Sequence, residues 1–255
     1  MDSSSVDVRV PTRLSAGVFR FKALLLQVAR AMSDVREGVR RHPQHLDPAL
    51  AHVAAASITR LWTDVNPSEA WYQRGKIQNL RMAATRLDRC RVPAGEVFSF
   101  WKQVGRASKG RGFRAGRMLQ EGCMIPAIGG GLCQLSNALY QVALEAGCEI
   151  VERHPHSRVV PGSATAAGRD ATVAWNYIDL RFRPRVPLQL HVSITDAELI
   201  VEARTANAKP GTLRQIVAPI IVPVVGSDHA CESCGRIDCF RHDPNVVHLA
   251  ESEPR

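Results

Sequence analysis

Apolar residues recur along the first forty positions at spacings that alternate between three and four. Val18, Phe21, Leu25, Val28, Met32, Val35 and Val39 therefore fall on one stripe of a predicted helix. Arg20, Lys22, Arg30, Arg36, Arg40 and Arg41 lie elsewhere on the wheel, and Pro43 closes the pattern. A second apolar stretch, Leu50 to Trp62, predicts another helix, ending before Pro67. From Lys76 to Arg89 the spacing of Ile77, Leu80, Ala84 and Leu87 is again helical. Pro93-Ala94-Gly95 predicts a turn into a strand, Val97 to Trp101, followed by a glycine-rich basic loop from Gly105 to Gly116. A helix is predicted over Leu132–Ala146, with Leu135, Leu139 and Val142 inward and Gly147 as its left-handed stop.

Beyond that helix the period shortens to two. Cys148 to Glu152 reads as a strand, and Val173, Trp175 and Tyr177 alternate with polar neighbours between Ala171 and Phe182. Leu188, Leu190, Val192 and Ile194 alternate strictly, Thr195 to Glu198 turns, and Leu199 to Ala203 returns as the second arm of a hairpin. These elements predict an α+β protein in three regions. Residues 1–70 form a helical N-terminal region, and 71–205 a mixed core with antiparallel hairpins. Residues 206–255 are a C-terminal tail that opens on Lys209-Pro210-Gly211, carries the apolar run Ile216 to Val225 and ends in a small cysteine knuckle.

The chain has 255 residues, 33 Lys+Arg against 24 Asp+Glu, a net charge of +9 and 7 cysteines. Ordinary apolar and charged content excludes wholesale disorder. No run is long enough for a spanning helix, and Met1 to Pro11 lacks the basic-then-apolar order of a secretory signal. An odd cysteine count argues against a disulfide framework and for a reducing, cytoplasmic setting. The positive charge suits an anionic partner. The arginines are not interleaved with aromatics, so no specific nucleic-acid partner is expected. For residues 13–41 the alternatives are a helix packed on protein and a basic amphipathic helix lying on an anionic membrane surface.

The densest chemical signal is Gly129-Gly130-Gly131-Leu132-Cys133-Gln134-Leu135-Ser136, running on to Asn137 and Tyr140. Glycines free the backbone for a close approach, and a helix starts directly afterwards. Cys133 then sits in a first turn whose unpaired N–H groups and dipole favour a thiolate and can donate to an oxyanion. A thiol nucleophile needs a base, and His154 and His156 follow the next strand, pointing the same way if extended. Asp170 or Asp179 is available to orient the imidazole. Gly129, Gly130, Gly131, Gln134, Ser136, Tyr140, Arg153 and Arg169 are the candidate substrate contacts, the arginines through charge-assisted bonds. The competing readings are a phosphate-cradling turn, a Cys133 that merely packs, and histidines that only hydrogen-bond.

Glu96-Val97-Phe98-Ser99-Phe100, the glycine run through Ser136, Ile150-Val151-Glu152-Arg153, His156-Ser157 and Gly168-Arg169-Asp170-Ala171-Thr172-Val173 together resemble the VanW family, over about 74 to 194. Where relatives often have Ser-Thr-Thr after the Gln, this chain reads Leu135-Ser136-Asn137. The resemblance implies a cell-wall and glycopeptide-resistance context without implying a reaction. With the Cys, His and Asp candidates it suggests a cysteine-dependent amide or peptide-bond enzyme of papain or transglutaminase type, acting on a small-molecule or peptide wall precursor. The alternative is a non-catalytic module that recognises such an anionic precursor or a protein partner.

A second cluster, Cys231, Cys234, Cys239 and His242, has the C-x2-C-x4-C-x2-H spacing that can wrap one tetrahedral Zn²⁺. An iron–sulfur cluster is the alternative cofactor, and a Cys231–Cys234 redox pair a further reading.

Overall fold

The computed structural model describes residues 13–62, 70–120, 123–156, 168–207 and 215–217. Its first element is helix α1, Arg13–Arg36. The stretch expected as a second helix is instead strand β1, His52–Arg60. Val53, Ile58 and Thr59 are β-branched, but the deciding influence is non-local. β1 lies between two partners, antiparallel to β9 (Glu198–Thr205) and parallel to β10 (Gln215–Val217). Pairing on both edges overrides the helix propensity of its alanines.

Helix α2, Ala70–Leu87, is followed by β2, Cys90–Val92. The expected strand at 97–101 shrinks to β3, Phe98–Ser99, because Ser99 caps a short helix α3, Phe100–Val104, accepting from the Lys102 N–H at 3.2 Å. A hairpin with no sequence expectation follows, β4 (Ala115–Gln120) against β5 (Cys123–Ile128). Next come α4, Cys133–Glu145, and β6, Glu149–Glu152, both close to expectation. Of the alternating run at 171–182 only its end is extended, in β7, Arg181–Arg183; Ala174 and Ile178 make a single bridge around a turn. The hairpin of β8 (Leu188–Ile194) and β9 forms as expected.

The strands assemble into a five-stranded sheet ordered β10-β1-β9-β8-β2, a three-stranded sheet β3-β7-β6 and the β4-β5 hairpin. In β9 every second residue, Leu199, Val201, Ala203 and Thr205, is buried. Helices α2 and α4 cover that face. The core they share holds Leu80 and Leu87 of α2, Leu135 and Leu139 of α4, and Phe98, which stacks on Phe182 at 4.5 Å between ring centres. Helix α4 is thus pinned on one side by the large sheet. Its N-terminus meets the β4-β5 hairpin, and its exposed edge meets the segment after β6.

Helix α1 forms where the period predicts it and departs from expectation in which face it buries. Its apolar stripe points outward, with Phe21 63%, Met32 69% and Val35 81% exposed. Its polar side attaches to the body instead. Among the described residues no helix is long and apolar enough to cross a membrane.

Candidate functional site

The glycine run is a packing device before it is anything else. Gly130 faces β4 so closely that a Cβ there would fall 2.2 Å from the Gly116 carbonyl oxygen. Gly131 has φ +89°, and a Cβ on it would lie 2.3 Å from Lys76 Cγ. Asn79, fully buried in α2, locks the turn by donating to the carbonyls of Gly130 (2.9 Å) and Arg114 (3.0 Å) while accepting from the Arg114 N–H (2.8 Å). Asn79 has no signal in the sequence, because a helix pattern does not separate a buried Asn from an exposed one.

The turn delivers Cys133 to the first position of α4, partly exposed. The N–H groups of Gly131, Leu132 and Cys133 make no hydrogen bond among the described residues, and no side chain caps this helix. The N–H groups of Gly129 and Gly130 are consumed internally, by Arg114 and Ala127. The expected oxyanion donors, Gly131 to Cys133, are thus left open among the described residues.

His156 and Asp170 complete the constellation. The Asp170 Oδ2 accepts from both the Nδ1 and the backbone N–H of His156, each at 2.6 Å. That assigns a proton to Nδ1 and leaves Nε2 outside the Asp170 contact, while the Cys133 side chain is near enough to act on the ring electrostatically. Interaction with the Cys133 side chain is the largest cause lifting His156 to about 9; burial opposes it, while the Asp170 contact adds to it. Burial works to raise the Asp170 carboxyl, but the His156 hydrogen bonds and the charges of His156 and Arg153 outweigh it and hold it below the usual range. Cys90, by contrast, lies fully buried and is pushed up to about 12 by desolvation, with Arg41 acting weakly the other way.

A backbone clamp sets the position of Asp170. Ser136 Oγ donates to the Ala171 carbonyl at 2.6 Å, and the Ala171 N–H donates to Asn137 Oδ1 at 2.7 Å. Two neighbouring side chains of α4 therefore grip both polar groups of one peptide residue, next to Asp170 and one turn from Cys133. The Thr172 N–H closes the other side on the His154 carbonyl at 2.8 Å.

Several candidates sit elsewhere. His154 turns back to Glu152, 3.1 Å from its Oε1. Asp179 is buried among Ser99 (2.5 Å), the Trp101 N–H (3.2 Å) and Arg181 (2.9 Å), and stabilises the start of α3. Arg153 is spent inside the loop, donating to the Asp170 carbonyl (2.6 Å), Asp170 Oδ1 (2.8 Å) and the Gly168 carbonyl (2.9 Å), with its guanidinium 5.3 Å from the centre of the Tyr140 ring. Gln134 docks α4 onto β1 through Thr59 Oγ1 (2.9 Å) and the Arg60 carbonyl (2.8 Å). Arg169 pairs with Glu145 at the surface, 3.4 Å apart. Cys231, Cys234, Cys239 and His242 lie outside the described residues. Among those described, no three His, Cys, Asp or Glu side chains are grouped to hold a metal.

Fold and site define an α+β protein that carries a Cys-His-Asp constellation at the start of a central helix. The sequence profile described as VanW like protein matches residues 75–204, a span that contains Cys133, His156 and Asp170, and the chain belongs to that family. It is 29% identical over 185 residues to the uncharacterized protein YoaR of Bacillus subtilis (strain 168), covering 71% of this chain and 59% of that protein. It is 34% identical over 151 residues to the vancomycin B-type resistance protein VanW of Enterococcus faecalis (strain ATCC 700802 / V583), covering 57% and 54%. The matched regions span a little over half the length of each relative. No solved structure matches the chain.

Proposed function

We propose that the protein is a cysteine-dependent hydrolase or transferase of amide or peptide bonds. Its setting would be that named for the enterococcal relative, vancomycin resistance, with a wall precursor or related small amide as substrate. The observation that carries this reading is the His156 ring, held on Asp170 through Nδ1 while it interacts with the Cys133 side chain at the start of α4. In this scheme the Cys133 thiolate attacks the amide carbonyl carbon, and the oxyanion is received by the open N–H groups of Gly131 to Cys133. His156 gives its proton to the leaving amine as the C–N bond breaks, leaving a thioester on Cys133. A water or a second amine, deprotonated by His156, attacks the thioester and releases the thiolate. Asp170 holds the imidazole by its Nδ1–H throughout and stays ionised.

The test is thiol profiling by mass spectrometry with iodoacetamide, alongside amine release from a panel of peptide amides. Cys133 should alkylate at least about tenfold faster at pH 7 than the thiol of an unstructured cysteine peptide. Cys133→Ser should keep the fold and lose amine release. Alkylation of Cys133 at the rate of an ordinary exposed thiol, or amine release undiminished in Cys133→Ser, would overturn the proposal.

From spacing alone, we propose that Cys231, Cys234, Cys239 and His242 hold a single Zn²⁺ as a structural knuckle.

A further inference from the structure

Among the described residues, the hydrogen bonds and ion pairs that tie the C-terminal half of α1 to the body come from its polar side. Gln27 donates to the Trp175 carbonyl at 2.7 Å. Arg30 makes a two-pronged pair with Glu152, at 2.6 and 2.7 Å. Asp34 is fully buried between Arg181 (2.5 Å) and Lys102 (3.2 Å). Arg181 also reaches Asp179, so the anchor continues into the second sheet. These bonds fix the rotation of the helix about its own axis. The face they leave outward is the apolar stripe, on which Leu14, Phe21, Met32 and Val35 are between 63% and 81% exposed and Val18, Leu25 and Val28 about half exposed.

An amphipathic helix normally does the reverse, burying its apolar stripe and wetting its polar one. A contiguous exposed apolar strip of this length marks a surface that meets something apolar. Charge selects what that is. Residues 13–33 contain no Asp or Glu, and Arg20 and Lys22 flank the stripe without an ion pair among the described residues. The whole chain carries +9, so a second copy would bring like charges together. An anionic lipid surface offers apolar depth and negative charge together.

We propose that α1 lies in the interface of an anionic membrane, its stripe from Leu14 to Val35 inserted and Arg20 and Lys22 at the headgroups. The polar anchor through Arg30 and Asp34 then holds the body against that surface in one orientation. This proposal stands independently of the chemistry at Cys133.

The test is flotation of the full chain with vesicles of phosphatidylcholine containing about 30% phosphatidylglycerol, against phosphatidylcholine alone. The wild type should float with the anionic vesicles and at least about tenfold less with the neutral ones. Phe21→Glu combined with Val28→Glu should lose flotation by a similar factor with no change in melting temperature. Arg20→Glu combined with Lys22→Glu should lose the anionic preference. Failure of the wild type to float, or flotation indifferent to either pair, overturns the proposal. So does a wild-type dimer that the Phe21/Val28 pair dissociates, because a second copy then owns the face. A clear fall in melting temperature of that pair also overturns it, because the chain itself then covers the stripe.

Discussion

Asp170 accepts two hydrogen bonds from His156 on one carboxylate oxygen, from the backbone N–H and from the ring Nδ1, both at 2.6 Å. The ring is therefore fixed in position and tautomer by the residue it pairs with. Arg153 occupies the other oxygen at 2.8 Å, so the carboxylate has no freedom left to rotate.

Asp170→Asn should test that dependence. The amide presents a donor to one of its two partners, His156 or Arg153. The expected outcome is a loss of about 1–3 kcal/mol in stability by urea unfolding. The alkylation rate of Cys133 should fall by at least about tenfold at pH 7, because the ring loses its fixed tautomer. An unchanged alkylation rate would show that Asp170 is structural.

The raised His156 gives the fold a pH dependence with a defined sign. Its value is about 9 in the folded protein against an ordinary 6.5. The folded state therefore holds this proton more tightly, and the contribution is fully present below pH 6.5 and lost as pH rises to about 9. Melting temperature should decline across that window, and His156→Gln should flatten the decline.

The clamp on Ala171 is tested by Ser136→Ala and Asn137→Ala. Each leaves one backbone group of Ala171 without its partner, and urea unfolding should show a loss of about 1–3 kcal/mol for the fully buried Ser136 contact. Both variants should also slow Cys133 alkylation, whereas a merely structural clamp would lower stability alone.

Two glycine substitutions contrast crowding with open space. Gly130→Ala drives a methyl into the Gly116 backbone, and a loss of more than about 3 kcal/mol, or failure to accumulate folded protein, is expected. Gly17 lies within α1, and a methyl group there would meet nothing within 4 Å, so Gly17→Ala should stabilise by up to about 1 kcal/mol. Circular dichroism melts of the pair read both effects.

The knuckle is tested by elemental analysis of protein purified without chelator. One equivalent of zinc, lost in Cys231→Ser combined with Cys234→Ser, is expected; absence of stoichiometric zinc or iron would remove the metal assignment.

What the sequence determined by itself is the structure written in short-range pattern. Helix α4 starts at Cys133 and stops at Gly147, whose φ is +74°, and the β8-β9 hairpin turns at Thr195. Each rests on a local period plus a turn or stop residue within a few positions, and those signals compete with little else. The candidate Cys, two His and two Asp were legible in the same way, as residue types near a helix start and a strand end.

The tertiary structure decided which of them meet. An extended chain points His154 and His156 the same way, but β6 ends at Glu152 and the chain bends, sending His154 back to Glu152 and His156 on to Asp170. Asp179 was an equal candidate until Arg181 and Ser99 enclosed it. β1 became a strand because β9 and β10 came to its edges, and α1 turned its stripe outward because Glu152 and Arg181 took its polar side. Glu152 and Arg181 lie two residues from His154 and Asp179. Asp170, Ser99 and the partners of β1 and α1, however, lie far away in sequence, where pairing outweighs local propensity and leaves no trace in the local pattern.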